Sequence, residues 1–330
     1  MKVVIVGGVA GGATAAARTR RLDENAEIVV YERSGYVSYA NCGLPYYIGG
    51  VITDREELTL QTPELFWERF RVETHARHEV TAIHPEKKTV TVRRLDTGEE
   101  FEDSYDKLLL SPGARPTMPP MPGIDLPRLF TLRTVEDTLK IRQFVEQERP
   151  RSAVLAGGGF IGLEVAENLR EMGMDVTIVQ LEPQMLMPLD YEMACFVHTE
   201  LREKGVKLLL NTAVAGFEEE DGGVRVLLNG KEPLHADMVV MAIGVSPDTK
   251  LAADAGLTLG VKRSIAVNQR METSVPDIYA VGDAVEIRHT VSGQNTLVSL
   301  AGPANKQARI AADNICGGES VYSGAQGSSV

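Results

Sequence analysis

One cysteine lies in a segment whose composition is typical of a reactive site. Cys42 stands within residues 38–47, SYANCGLPYY, among small, polar and aromatic residues. A free cysteine is more commonly a small buried hydrophobe. An accessible thiolate, in contrast, is a nucleophile that exchanges with disulfide and persulfide sulfur. Redox chemistry at Cys42 therefore requires a source of electrons in the rest of the chain.

The composition favours a soluble protein and excludes several classes. Of the 330 residues, 43% are hydrophobic and 24% are charged, and the formal net charge is −12, which disfavours a nucleic-acid partner. No stretch approaches the roughly 20 apolar residues that span a bilayer. The N-terminal apolar run is shorter than the roughly 7–15 residues of a secretory signal. Three cysteines do not make a disulfide framework, so we predict a cytoplasmic protein, and we predict no metal site.

The N-terminal residues predict a dinucleotide-binding unit. A buried strand over 2–6 is followed by the turn GGVAGG at 7–12, a helix over 11–22 and a second strand that ends at Glu32. In this arrangement the turn and the helix N-terminus bind a pyrophosphate, and the acid binds a ribose hydroxyl. The fingerprint is incomplete, because Val9 stands in place of its middle glycine.

The same plan recurs 150 positions later. A strand over 152–155 precedes a complete G-x-G-x-x-G at 157–162, a helix and a second strand over 176–179. Both halves continue into a three-stranded meander, and the apolar segments 106–114 and 237–245 correspond. An internal duplication with two nucleotide sites predicts an electron relay, in which one dinucleotide is bound tightly and the other exchanges as substrate.

Two later segments bear on the order of the domains. RPTMPPMPG at 115–123 is too proline-rich for a helix or a central strand, so we predict a linker there. Near the C-terminus, TSVPDIYAVGDA at 273–284 places Asp283 after a short strand. Its carboxylate can accept hydrogen bonds from the ribityl chain of a flavin; an aspartate-capped turn is the alternative. If this segment returns to the first unit, that unit is a flavin domain split in sequence, and the second unit is an inserted nicotinamide domain.

Together these segments resemble the flavin- and pyridine-nucleotide-dependent disulfide reductase superfamily over nearly the whole chain. Most members carry two cysteines as C-x4-C, but Tyr47 stands at the second position here. The chain is therefore similar to the single-cysteine branch, which contains coenzyme A-disulfide reductases, coenzyme A-persulfide reductases, and NADH oxidases and peroxidases. The resemblance implies an α/β fold of the glutathione-reductase type, with two Rossmann-like FAD- and NAD(P)-binding domains that each carry a three-stranded β-meander.

Two positions favour a coenzyme A substrate over oxygen. Peroxidases and water-forming oxidases of this branch carry a histidine in the first glycine loop, where this chain has Ala10. The segment NCGLPYY resembles the coenzyme A reductases, whose serine and asparagine before the cysteine contact coenzyme A. Arginine also suits the phosphates of the coenzyme, although the arginines of the first helix could instead form a solvated face. The implied substrate residues are Thr14, Arg18, Arg21, Ser38, Asn41 and Asn305.

The resemblance also implies the residues that bind each cofactor, with Cys42 as the catalytic thiol. For FAD they are Gly7, Gly8, Ala10, Gly11, Gly12, Glu32, Arg33, Val80, Ser111, Gly113, Asp283, Leu300 and Ala301. For the nicotinamide nucleotide they are Gly157, Gly159, Phe160, Ile161, Gly162, Glu164, Gln180, Glu182 and Gly244. No arginine or lysine occurs between Gln180 and Arg202 to hold a 2′-phosphate, which favours NADH, with NADPH as the alternative.

The sequence thus predicts a flavoprotein oxidoreductase that passes electrons from NADH through FAD to Cys42, which reduces coenzyme A-disulfide or coenzyme A-persulfide. The alternatives are an NADH oxidase and a non-catalytic FAD-binding core or electron carrier. Members of the superfamily are homodimers through a third domain, and this chain stops at Val330, so we expect little activity and poor dimerisation of the chain alone. The predicted domains are FAD-binding, 1–115 and 246–320; NAD(P)H-binding, 116–245; and the start of the interface domain, 321–330.

Overall fold

Helices and strands alternate along the chain as the sequence predicts. The structure, a computed structural model, describes residues 1–328, so positions 329 and 330 of the predicted interface segment lie outside the described residues. The helices are α1 (Ala10–Leu22), α2 (Leu44–Gly49), α3 (Pro63–Phe70), α4 (Val135–Glu148), α5 (Phe160–Glu171), α6 (Tyr191–Glu203), α7 (Lys250–Asp254) and α8 (Ala301–Ile315). The strands are β1 (Lys2–Val6), β2 (Glu27–Glu32), β3 (Glu73–Ala76), β4 (His78–His84), β5 (Thr89–Arg94), β6 (Glu100–Ser104), β7 (Lys107–Leu110), β8 (Ala114–Pro116), β9 (Leu129–Thr131), β10 (Ser152–Ala156), β11 (Asp175–Val179), β12 (Lys207–Leu209), β13 (Val214–Glu220), β14 (Gly223–Leu228), β15 (Lys231–Ala236), β16 (Met238–Met241), β17 (Val245–Pro247), β18 (Ile278–Ala280), β19 (Ile287–Arg288) and β20 (Asn295–Thr296).

The first of two units holds a parallel sheet with strand order β18-β7-β1-β2-β3. Its strands are short runs of Val, Ile and Leu, and Val3, Val4 and Ile5 of β1 have no exposed area. Strands that are buried on both faces show this pattern. Helices α1 and α8 pack against each other, and β4, β5 and β6 form a separate antiparallel meander. The unit comprises the described residues of Met1–Tyr39, Thr59–Arg115 and the chain from Ser246 onward.

The second unit repeats this plan with a parallel sheet ordered β12-β11-β10-β16-β9 and the antiparallel meander β13, β14 and β15. Its helix α4 begins with a capping box, in which Thr134 and Asp137 each bond the other's backbone N–H. The unit comprises Ala40–Leu58 and Pro116–Val245. The predicted α/β fold with two Rossmann-like halves is confirmed, while the assignment of FAD to one unit and NAD(P)H to the other stays a prediction.

The internal duplication is visible in the strand register and in the glycine turns. Gly7 and Gly157 each follow the central strand with φ of +94° and +113°, a conformation that glycine adopts at no steric cost. A Cβ at Gly12 would lie 1.8 Å from the Gly7 carbonyl oxygen, and one at Gly162 would lie 2.2 Å from that of Gly157. Both turns therefore close on the first residues of their helix in the same way.

One unit boundary and two strand boundaries differ from the sequence predictions. Residues 40–58 group with the second unit, because α2 packs against α4 and α5. The proline-rich segment begins inside strand β8 rather than as a pure linker, and the strand before Asp283 ends at Ala280, so that Gly282–Ala284 forms a separate turn of 3-10 helix. In the part of the chain that the structure describes, no helix is long and apolar enough to cross a membrane.

Candidate active site

Cys42 is exposed and lies in a turn of 3-10 helix directly before α2. The turn is Asn41–Gly43, and α2 then begins with Leu44 and Pro45. Proline suits the first turn of a helix, because its missing N–H has no partner there. Leu44 and Ile48 are buried and anchor the segment, whereas the thiol faces outward. The interpretation of Cys42 as a buried hydrophobe is therefore wrong, and its sulfur is accessible to a substrate.

The helix that follows Cys42 is held tightly inside its own unit. A Cβ at Gly49 would lie 2.0 Å from the Oδ1 atom of Asn168 on α5, so only glycine fits at this contact. On the other side, Arg142 of α4 donates a hydrogen bond to the Ile48 carbonyl at 2.9 Å. These two contacts fix α2, and thereby the position from which Cys42 projects.

Tyr46, on the first turn of α2, is a residue that the sequence analysis missed. Burial raises the pKa of Tyr46, and the carboxylates of Glu167 and Glu164 on α5 raise it further. The hydroxyl therefore stays protonated at neutral pH. Burial likewise raises the pKa of Glu164, with a smaller contribution from Glu167. The tyrosines beside Cys42 are visible in the sequence, but the acids of α5 come near them only through the packing of α2.

The first glycine turn is tied to the acid that the sequence singled out. Glu32 is only 7% exposed, and its Oε2 and Oε1 atoms accept hydrogen bonds from the backbone N–H groups of Gly8 and Ser34, each at 2.8 Å. Val9 is the N-cap residue of α1 with φ of −97°, so the position of the missing glycine lies outside the left-handed region that favours glycine.

The helices at the two glycine turns and at Leu300 begin without a side-chain cap. Helices α3 and α4 are capped by Thr62 and Thr134, each followed by acidic residues in the first turn. In contrast, α1, α5 and α8 have no side-chain cap and no acid in the first turn. The N–H groups at such a helix end have no partner within the helix, and they attract anions. Ala10, Gly159, Leu300 and Ala301 lie at these three helix starts.

The first unit contains a cavity of about 450 Å³ beside its glycine turn. Four predicted FAD residues line this cavity: Gly7, Glu32, Arg33 and Val80. Arg33 forms an ion pair of 2.7 Å with Asp248, whose N–H donates to the Gly113 carbonyl at 3.0 Å. The lining also includes cations that the sequence analysis missed, because no motif marks them: Arg93, Arg115 and Lys250.

The remaining predicted FAD residues meet at the carboxyl edge of the same sheet. Strands β7 and β18 pair side by side, so Ser111 and Gly282 follow neighbouring strand ends. The Ser111 Oγ atom lies 2.6 Å from where a Cβ of Gly11 would be and 3.5 Å from that of Gly282. Gln307 of α8 accepts a hydrogen bond from the Gly282 N–H at 2.7 Å. The turn that contains Asp283 is thereby joined to α8, whose N-terminus is Leu300 and Ala301.

The second unit contains a cavity of about 570 Å³ beside the complete fingerprint. The predicted residues that line it are Gly157, Gly159, Phe160, Gln180, Glu182 and Gly244. Phe160 is 54% exposed. Ile161, Gly162 and Glu164 follow on α5 and are not part of the lining. Gly162 is buried against the Gly157 carbonyl, so it serves helix packing.

Gln180 takes the place in this unit that Glu32 takes in the first. In the first unit the central strand ends at Val6, which pairs with Tyr31, and Glu32 comes next. In the second unit the central strand ends at Ala156, which pairs with Val179, and Gln180 comes next. The Oε1 atom of Gln180 accepts from the Gly158 N–H at 3.0 Å. Within residues 1–328, the lining of this cavity includes neither Lys nor Arg.

Two of the three predicted coenzyme A residues of the first helix are engaged with α8. Thr14 donates from Oγ1 to the Oδ1 atom of Asn305 at 2.9 Å, and Arg18 pairs with Asp313 at 2.8 Å. Arg21 is exposed, with its guanidinium 5.8 Å from the ring centroid of Phe70.

The neighbouring Arg20 is structural, because its guanidinium donates to four backbone carbonyls at 2.6 to 3.2 Å, those of Asp23, Glu24, Phe70 and Arg71. The basic cluster of α1 is therefore not a uniformly solvated face.

The two predicted coenzyme A residues before the cysteine lie in different surroundings. Ser38 belongs to the first unit and has a left-handed backbone, with φ of +47°. Its N–H donates to the Gly8 carbonyl at 2.9 Å, and its carbonyl accepts from the Leu60 N–H at 2.8 Å. Such strained residues often occur at binding sites. Asn41 is exposed in the turn with Cys42.

Comparison with known proteins finds a matching family over most of the chain. Residues 1–308 match the family described as pyridine nucleotide-disulphide oxidoreductase. Coenzyme A disulfide reductase of Staphylococcus aureus (strain JH9) is 37% identical over 320 residues, which are 97% of this chain and 72% of that protein.

Two solved structures are similar over almost the whole chain. Reduced CoADR-RHD of Bacillus anthracis is 47% identical with a TM-score of 0.96, over 99% of this chain and 59% of that one. A NAD-dependent persulfide reductase from A. fulgidus is 38% identical with a TM-score of 0.94, over 98% of this chain and 61% of that one. The chain thus spans about three fifths of the length of these two proteins.

Proposed function

Because the chain belongs to the pyridine nucleotide-disulphide oxidoreductase family, we propose that it is a flavoprotein that uses NADH to reduce a coenzyme A-disulfide or coenzyme A-persulfide at Cys42. The predicted resemblance to this superfamily and to its coenzyme A reductases is confirmed. The observation that carries the proposal is the exposed Cys42 in the turn before α2, with Tyr47 where a second cysteine would stand. Without a second thiol in the motif, the partner sulfur comes from the substrate.

The first unit has a cavity and an uncapped helix start that fit FAD. The cavity beside Gly7 and Glu32 has cationic side chains for a pyrophosphate, and the uncapped start of α1 adds N–H donors. Asp283 follows β18 and would accept from the ribityl hydroxyls, and α8 begins beside that turn. When bound, FAD supplies two-electron transfer between a nicotinamide and a sulfur.

The second unit fits NADH better than NADPH. Gln180 holds the glycine turn, and no lysine or arginine among the described lining residues offers a site for a 2′-phosphate. Phe160 is half exposed at the start of α5 and would shield the nicotinamide site when it is empty. The expected preference is a higher kcat/KM with NADH than with NADPH.

Cys42 provides the nucleophile for the sulfur chemistry. Its thiolate attacks one sulfur of the coenzyme A-disulfide, which forms a mixed disulfide on Cys42 and releases the first coenzyme A thiol. Two electrons, which come from NADH, and two protons then reduce this mixed disulfide, which releases the second coenzyme A thiol and restores the Cys42 thiol. With coenzyme A-persulfide, Cys42 takes up the outer sulfur, coenzyme A thiol leaves, and the same reduction releases hydrogen sulfide.

Within the second unit, Asn41 is exposed beside Cys42 and would contact the pantetheine arm of the coenzyme. In the first unit, Ser38 and the exposed Arg21 stay predictions from the resemblance, with Arg21 suited to a phosphate. Arg18 can join them only by exchanging Asp313 for a phosphate, and the Thr14–Asn305 pair lies one turn earlier on the same helix.

Location forms part of the same proposal. The cysteines of the described chain are unpaired, which suits the reducing cytoplasm.

The test is anaerobic NADH oxidation by the FAD-loaded protein with coenzyme A-disulfide and, separately, with coenzyme A-persulfide. We expect Cys42→Ser to reduce the rate to background, because no other thiol stands in residues 38–47. Cys195→Ser, a half-buried cysteine on α6, is the matched control and should turn over like the wild type.

Three results would contradict the proposal. Rapid NADH consumption in air that survives Cys42→Ser would favour an NADH oxidase. A bare Cys42 thiol that forms no coenzyme A adduct by mass spectrometry would exclude the disulfide reaction. If, in addition, the flavin spectrum is the same in the wild type and in Cys42→Ser, a non-catalytic FAD-binding core or electron carrier would be favoured.

A further inference from the structure

One wall of the second-unit cavity is an irregular segment between β11 and α6. Leu186, Met187 and Pro188 line the cavity from this segment. Leu186 has φ of +47°, a left-handed conformation that costs a branched side chain about 1 kcal/mol or more. The wall therefore needs contacts that hold it in this shape.

Hydrogen bonds join this wall to the glycine turn and to itself. The Leu186 N–H donates to the Gly158 carbonyl at 2.9 Å. The Nε2 atom of Gln180 donates to the Gln184 carbonyl at 3.2 Å, and the Nε2 atom of Gln184 donates to the Leu189 carbonyl at 2.8 Å. Each of these bonds fixes the backbone on one side of Met185.

The backbone of Met185 is held by a hydrogen bond to a buried histidine. Its N–H donates to the Nε2 atom of His198 on α6 at 3.0 Å, and Met185 and His198 are 0% and 3% exposed. An acceptor Nε2 carries no proton, so the ring is neutral with its proton on Nδ1. Burial lowers the pKa of His198, as does Arg202 one turn later, which agrees with this form. The sulfur of Met185 lies 2.1 Å from where a Cβ of Gly158 would be, so Met185 packs directly on the glycine turn.

We propose that His198 is a positioning residue for dinucleotide binding, which holds the wall formed by residues 185–188 against the glycine turn at Gly158. His198 does not line the cavity, so it acts through Met185 and not on the nucleotide. The inference rests on the proposed function, because it takes this cavity as the NADH site.

Two substitutions separate the hydrogen bond from the volume of the ring. His198→Leu fills the space but accepts no bond, whereas the amide oxygen of His198→Gln can accept the Met185 N–H in place of Nε2. Thr199→Ala is the matched control, since Thr199 is exposed on the same helix and its hydroxyl donates to the Cys195 carbonyl. If His198→Leu does not fold, His198→Asn replaces it, because its shorter side chain does not reach Met185.

We expect His198→Leu to weaken NADH binding about tenfold, the equivalent of leaving one buried donor unpaired. The KM for NADH should rise by the same factor, while kcat and the affinity for the disulfide substrate stay within about twofold. His198→Gln and Thr199→Ala should bind NADH like the wild type. Amide hydrogen exchange should show faster exchange at Met185 and Leu186 only in the leucine variant, without nucleotide present.

The outcomes distinguish this inference from the proposed function. Failure of the wild-type protein to bind NADH, measured by its fluorescence, would overturn both. Wild-type binding together with unchanged NADH affinity in His198→Leu would overturn the role of His198 alone. A loss of unfolding stability in His198→Leu with no change in the KM for NADH would reduce His198 to a core residue and would also overturn it.

Discussion

Gly49→Ala, in the helix that follows Cys42, should change the free energy of unfolding in two opposite ways: by helix propensity and by steric contact. Gly49 is the last residue of α2. In a solvent-exposed helix, replacing glycine by alanine stabilises by about 1 kcal/mol. In this structure, however, the new Cβ would lie 2.0 Å from Oδ1, 2.7 Å from Cγ and 2.8 Å from Cβ of Asn168.

The steric effect should win. Asn168 is only 1% exposed, and its Nδ2 atom donates to the Glu164 carbonyl at 2.8 Å, so its side chain has little room to move away. All three close contacts are shorter than van der Waals distance, and α2 must shift from α5. Overpacking of this kind costs about 1–3 kcal/mol. After the gain in helix propensity, the net loss of unfolding free energy is up to about 2 kcal/mol.

Urea unfolding of the wild type and the variant measures this difference. Gly302→Ala is the matched control, because Gly302 lies in the first turn of α8 and a Cβ there meets nothing within 4 Å. We expect the control to be as stable as the wild type or more so. In the Gly49→Ala background, Asn168→Ala removes two of the three close atoms and should recover part of the loss. A Gly49→Ala variant that unfolds at the wild-type urea concentration or above would refute the packing of α2 on α5 as described.

Two further predictions concern the two buried groups that hold the nucleotide cavities. Glu32→Gln replaces a carboxylate that accepts two N–H bonds by an amide with one acceptor oxygen. FAD retention on dilution should therefore fall, and the free energy of unfolding measured in urea should fall by about 1.5–3 kcal/mol. Unchanged flavin retention would contradict the assignment of this site. Because burial and Arg202 lower the pKa of His198, its contribution to stability is fully present above the unfolded pKa of about 6.5 and is lost as the pH falls through the lower folded value. Urea midpoints between about pH 7.5 and pH 5 should therefore fall more steeply for the wild type than for His198→Gln, and parallel curves would exclude this linkage.

Local patterns predicted the sheets and the glycine turns, because both depend on short stretches of sequence. The limits of β1 agree with the prediction, since it is an apolar run that ends at the glycine turn. Such features need no knowledge of what packs against them.

The partners of the functional side chains could not be predicted in this way. Arg18 was treated as a cation for phosphate, but its ion pair with Asp313 joins residues 295 positions apart. The grouping of residues 40–58 with the second unit depends on the packing of α2 on α4 and α5. His198 stands in YEMACFVHTEL, where no motif marks it. Each of these contacts follows from tertiary packing, which one sequence does not encode in its local patterns.

The difference between Glu32 and Gln180 shows how the two halves of one plan have diverged. Both side chains accept a hydrogen bond from the second glycine of the turn, at Gly8 and Gly158. A carboxylate can only accept, so Glu32 takes its second bond from the Ser34 N–H. The amide of Gln180 can also donate, and it bonds to the Gln184 carbonyl. An amide in place of the acid therefore does more than remove a charge from the second site. It also supplies an N–H donor that bonds to the segment that lines the cavity. On this argument an acid at position 180 would keep the contact to Gly158 and lose the contact to Gln184, so the second site uses an amide where the first uses an acid.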